Sequence, residues 1–155
     1  REEFLKALNT VISAARRAKV PIIFTKITPY PQGFESYAAR VVYRNWRFNL
    51  RDMRLAVNPM RGDIVINKNT WSLFVGTNVE LLLRNKGINN VVFTGIATDI
   101  GVETSARHAF ALGFLPVIVR DAVSSSDREA HERSLANMSR FFPVVTSQEV
   151  AQVWK

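Results

Sequence analysis

Two stretches of the 155-residue chain place polar groups beside turn residues in a pattern suited to chemistry. The first runs from Asp63 to Thr77 (DIVINKNTWSLFVGT), where Lys68 falls one residue past a short apolar run. Its ammonium should project at the carboxyl edge of the sheet that run joins, the edge where open parallel sheets bind ligands. The second runs from Thr94 to Ala106 (TGIATDIGVETSA) and reads as a strand, a tight glycine-bounded turn and a helix beginning near Gly101. Unpaired N–H groups and the positive dipole end at such a start form an anion site. Several other chemistries lack their residues. There is no cysteine, hence no thiol nucleophile, disulfide or thiolate metal site. His108 and His131 are the only histidines, and neither has a carboxylate or second histidine at ligand spacing, so no metal and no cofactor are expected. Ser124, Ser125 and Ser126 read as loop and helix-capping residues, and no Gly-x-Ser-x-Gly elbow is present.

The elements that must position these residues follow from the apolar pattern. Phe4, Leu5, Leu8, Val11, Ile12 and Ala15 recur as one face of a helix over about 2–18. Residues 20–25 (VPIIFT) suit a buried strand. Residues 27–60 hold Pro29, Pro31, Gly33 and Pro59 and read as a long excursion with one helical piece near 36–48, of the kind that forms lids and binding loops. Beyond Asp63 the alternation is regular: strands over 63–67, 90–95, 114–120 and 143–146, and helices over 77–85, 101–112, 127–140 and 148–154. Such interleaving predicts an α/β fold of three layers, α/β/α, with a parallel, doubly wound sheet and a single domain over 1–155. The first element is a helix feeding a strand, whereas doubly wound sheets normally begin with a strand, so a strand upstream of Arg1 is expected.

Each candidate also has a plain structural reading. Lys68 is either a site residue or a solvated loop lysine. Gly95 and Gly101 let a strand turn tightly into a helix. Asp99 reads as a helix cap, and Glu103 with Arg107, spaced i, i+4, as a structural ion pair. Trp71 and Phe74 either wall a pocket beside Lys68 or fill core.

The two motifs resemble the isochorismatase-like hydrolase family, which includes N-carbamoylsarcosine amidases and nicotinamidases. Lys68, Ser72, Phe74, Gly76 and Thr77 match one family motif. Gly95, Ala97, Thr98, Asp99, Gly101, Val102, Ser105, Ala106 and Arg107 match the other, with Asp121, Ala122 and the Glu129–His131 stretch as further matches. The resemblance implies an Asp, Lys, Cys triad. Lys68 matches its lysine, Gly101 occupies the cysteine position, and the aspartate belongs to the strand expected upstream. The covalent route of the family's amidases then has no attacking atom, which disfavours amidase and nicotinamidase activity. Isochorismatases proper carry glycine there and cleave a vinyl ether by general-acid chemistry. On that reading Lys68 holds a substrate carboxylate or tunes the aspartate, the Ala97 and Gly101 amides hold a negative oxygen, and Trp71, Phe74, Ile96 and Thr98 line the substrate. The resemblance further implies a cis peptide between Ile96 and Ala97 and a homo-oligomer, dimer or tetramer.

The net charge is +8, and five of these charges come from residues 40–61, where six arginines stand against Asp52 alone. Arg40, Arg44, Arg47, Arg51 and Arg54 would form one basic helix face, with Tyr43 and Trp46 nearby. Subunit contact or capture of a small anionic substrate is the favoured use. Nucleic acid is disfavoured, because no base-reading module accompanies the charge. No apolar run approaches the ~20 residues of a membrane span, and the lack of cysteine fits a reducing cytoplasm. The function expected is hydrolysis of a small carboxylated metabolite without a cysteine nucleophile. The alternative is an inactive binding or scaffold homologue.

Overall fold

The computed structural model describes residues 1–45 and 50–155. Helix α1 (Glu2–Arg17) buries Ala7, Leu8, Val11, Ala14 and Ala15. Glu2 and Glu3 in its first turn and Arg16 and Arg17 in its last complement the helix dipole. Lys19 then takes a left-handed φ of 57°, which reverses the chain into β1 (Ile23–Ile27). Strand β1 pairs in parallel with β2 (Ile64–Lys68), Ile23 opposite Ile64 and Ile27 opposite Lys68. An Arg16–Asp63 ion pair of 2.8 Å ties the end of α1 to the start of β2.

The second half alternates as its apolar runs predict. Helix α3 (Val79–Asn85) leads to β3 (Asn90–Ile96), then α4 (Glu103–Ala111), β4 (Leu115–Ser124), α5 (Arg128–Ser139), β5 (Val144–Val145) and α6 (Ser147–Val153). Asp127 caps α5 by accepting the Ala130 N–H. A reciprocal capping box of Thr146 and Glu149 starts α6. Strand β4 outruns the predicted 114–120 because its pairing with β3 shifts register: Phe93 faces Ile118, but Gly95 faces Val123. Within the displaced stretch, Asp121 accepts hydrogen bonds from the Ser147 N–H and hydroxyl, so it anchors α6.

The strands form two parallel sheets, β1-β2 and β3-β4-β5, rather than the single sheet predicted. Among the described residues no ladder joins β1 to β3. Helices still cover both faces. Ile118 points into a core with α3, α4 and α5, and Val119 into one with α1 and α6, the alternation a pleated strand requires.

The excursion corrects the predicted basic helix. Helix α2 covers only Tyr37–Val42, and 3-10 turns follow at Tyr43–Asn45 and Leu50–Asp52. None of the three buries a residue, so no apolar face is present to sustain a longer helix. The predicted arginine face is therefore broken, and Arg47 and Trp46 lie outside the described residues.

Candidate active site

Lys68 is the last residue of β2, and its ammonium is buried, with only 9% of the residue exposed. It donates to the Trp71 carbonyl. Burial lowers its pKa from 10.5 to about 8, because desolvation penalises the charged form. The loop that follows is held in place by hydroxyls. Ser72 Oγ lies 2.8 Å from His108 Nδ1 and accepts the Phe74 N–H at 3.2 Å. Ser105 Oγ accepts the Leu73 N–H at 3.1 Å. Both His108 and Ser105 belong to α4, so this helix sets the position of the Lys68 loop.

The second half of the site follows β3. Gly95 has φ 114°, a conformation that strains any L side chain, and the Ile96–Ala97 peptide bond is cis. Thr98–Val102 forms a π-helical turn leading directly into α4, closed by donation from the Val102 N–H to the Ala97 carbonyl at 3.1 Å. Helix α5 secures this turn. His131 Nδ1 lies 2.8 Å from Thr98 Oγ1, and Ser134 Oγ donates to the Thr98 carbonyl at 3.2 Å.

The two halves meet at Gly101. A methyl group there would sit 3.4 Å from Lys68 Nζ and 3.7 Å from the Trp71 carbonyl oxygen. Unlike Gly95, Gly101 is not in the left-handed region, so the turn itself does not demand glycine at 101. A side chain at 101 would therefore come into ordinary van der Waals contact with the buried ammonium.

A family model described as an isochorismatase domain matches residues 1–149. The chain belongs to this family. Among curated relatives, an isochorismatase family protein YecD from Escherichia coli O157:H7 is 42% identical over 63% of this chain and 50% of its own length. A ureidoacrylate amidohydrolase RutB from Pseudomonas syringae pv. syringae (strain B728a) is 30% identical over 90% of this chain and 66% of its own. The chain thus spans about half to two thirds of these relatives. The solved cysteine hydrolase from Pseudomonas syringae pv. phaseolicola 1448A shares the fold, with a TM-score of 0.89 and 20% identity over 99% of this chain and 80% of that one.

Within this isochorismatase domain, not every predicted residue faces the space beside Lys68. Phe74 is core: its ring stacks on Phe114 at 6.2 Å and tilts against His108 at 5.2 Å. Thr98 is fully buried, its hydroxyl engaged by His131, so its side chain braces the turn from behind. Ile96 is 64% exposed at the rim. Trp71 contributes its carbonyl, the acceptor for Lys68. Asp99 does not cap the helix, because the π-turn bond takes over that task; its Oδ1 is buried without a partner among the described residues. Glu103 and Arg107 pair at 2.8 Å as their spacing predicts. The residues underrated from sequence are His108, His131 and Ser134. Their spacing shows no period, and only the packing of α4 and α5 reveals their role as props.

Proposed function

We propose that this isochorismatase domain is a hydrolase of a small carboxylated metabolite that works by general-acid chemistry, with Gly101 at the position of the family cysteine. The observation that carries the reading is the closeness of Gly101 to the buried Lys68 ammonium, whose Nζ would lie 3.4 Å from a methyl group at 101. A substrate carboxylate seated there gains a charge-assisted hydrogen bond in a site largely closed to water. The Ala97 and Gly101 amides hold a negative oxygen that the substrate already carries. The reaction that needs no protein nucleophile is enol-ether cleavage. An acid delivers a proton to the alkene carbon, water adds to the resulting oxocarbenium carbon, and the hemiketal expels an alcohol to leave a carbonyl compound.

The acid in this proposal is an aspartate on a strand preceding residue 1, seated in parallel between β1 and β3. The lack of any ladder between those two strands among the described residues supports this seat, as does the register that brings Ile27 and Lys68 to one rim. The proposal includes a homo-oligomer in the cytoplasm. The exposure of Phe34, Tyr37, Val41 and Val42 on the excursion supports a covering partner copy.

Full-length protein assayed against isochorismate and simpler enol ethers should release the carbonyl product, and Lys68→Met should lose most of that rate. A null result from folded protein would refute the reaction. A second reading, a binding or scaffold homologue, is favoured by the absence of any cysteine. It predicts no turnover in the wild type, but acylation by amide or ester substrates at the thiol of Gly101→Cys.

A further inference from the structure

The excursion carries a second feature that the Lys68 centre does not use, an open hollow of about 320 Å³ at the foot of α2. Its walls include Arg40, Arg44 and Arg51 together with Tyr30, Tyr43 and Glu35. The volume lies in the range of small-ligand pockets, and the lining joins three guanidinium groups to two phenol rings.

Among the described residues that line the hollow, Glu35 is the one acidic side chain. Glu35 Oε2 accepts the Gly33 N–H at 3.0 Å, which ties its carboxylate to its own turn. The Glu35 carbonyl accepts from Arg40 Nη1 at 3.0 Å and holds that guanidinium at the wall. The pocket is also fastened to the rim of the β1-β2 sheet. Thr28 N–H donates to the Lys68 carbonyl at 2.8 Å, and Asn69 Nδ2 donates to the Thr28 and Pro29 carbonyls at 3.1 and 3.2 Å. From the other side, the Tyr43 hydroxyl contacts the side chain of Trp71, whose carbonyl holds Lys68.

We propose that this hollow is a binding subsite for a flat ring bearing an oxyanion group, carboxylate or phosphate. The guanidinium fork matches the planar pair of oxygens, and the phenol rings offer area to the ring face. The inference deepens the function proposed above, since the subsite would hold the far end of the same substrate, and it rests on that reading for the link to Lys68.

The test is an NMR titration with benzoate, phenyl phosphate and neutral benzamide. One or both anions should bind at least tenfold more tightly than benzamide, and their order identifies the oxyanion preferred. Arg44→Gln and Arg40→Gln should each weaken the anion by about tenfold, as expected for loss of a charge-assisted hydrogen bond. Arg133→Gln on α5 removes the same charge elsewhere and should change nothing. Equal binding of benzamide, retention of affinity in both excursion variants, or equal loss in Arg133→Gln would overturn the subsite. So would anion-induced shifts confined to residues around Lys68 and Gly101, which would move the ring to the other centre. Arginine-dependent anion binding in a protein inert toward enol ethers would leave the subsite standing while the reaction falls.

Discussion

The buried ammonium of Lys68 makes a quantitative demand on stability. Its pKa falls from 10.5 to about 8 on folding, a difference worth about 3 kcal/mol. The native state therefore binds fewer protons here than the unfolded chain between about pH 8 and pH 10.5, so this residue adds stability as pH rises through that window. Below about pH 8 the charge is retained in both states and the desolvation cost is carried in full. Lys68→Met keeps most of the apolar stem and removes the titration. At pH 7 the variant escapes a cost of about 3 kcal/mol and gives up a donor to the Trp71 carbonyl, a loss of roughly 1–3 kcal/mol. It should thus be as stable as wild type or more so at neutral pH, an unusual outcome for a buried substitution. As pH rises towards 10 the wild type should gain on the variant by up to about 3 kcal/mol, which at roughly 2 kcal/mol per molar urea moves the midpoints about 1.5 M relative to one another. Urea unfolding followed by tryptophan fluorescence at pH 7, 8, 9 and 10 measures this directly. Other lysines and the tyrosines titrate in both proteins and cancel in the difference. A midpoint separation that stays constant across these pH values would refute the burial argument, and with it the idea of a desolvated cation at the site.

Two further substitutions probe the local geometry. Gly95→Ala forces a side chain onto φ 114° and should cost 1 kcal/mol or more by roughly the strain of left-handed backbone, whereas Gly101→Ala meets its nearest neighbour at 3.4 Å and should cost about half of that or less, as melting temperatures would report; equal effects would mean the two turns are misjudged. Ser72→Ala strips the partner from both His108 Nδ1 and the Phe74 N–H and should cost about 1–3 kcal/mol, and unchanged stability in urea would show that the loop does not depend on that hydroxyl.

Much of the architecture after Asp63 is visible in the sequence, because buried strands and amphipathic helices announce themselves as apolar runs and stripes. The excursion is different. Its arginines recur with helical spacing, yet charge spacing supplies no buried face, and the helix ends at Val42. The extension of β4 to Ser124 is equally invisible, since it depends on a register shift against β3 that only tertiary pairing sets. At the site, Lys68 and Gly101 are each identified by motif, but 33 positions separate them, and their closeness depends on how α4 holds the intervening loop. Phe74 and Thr98 carry the same motif signal as Gly101 and turn inward instead, because His108 and His131 engage them from α4 and α5. A motif marks the neighbourhood; the packing behind it decides which side of the wall each residue occupies.

Lys68 is carried by the β1-β2 ladder and Gly101 follows the β3-β4-β5 ladder, and no backbone rungs connect the two among the described residues. The pincer they form is therefore aligned by its rivets, the hydroxyl contacts of Ser72 with His108 and of Ser105 with Leu73 that join the loop to the helix. Slackening those few points would let the jaws drift apart while each ladder stayed whole.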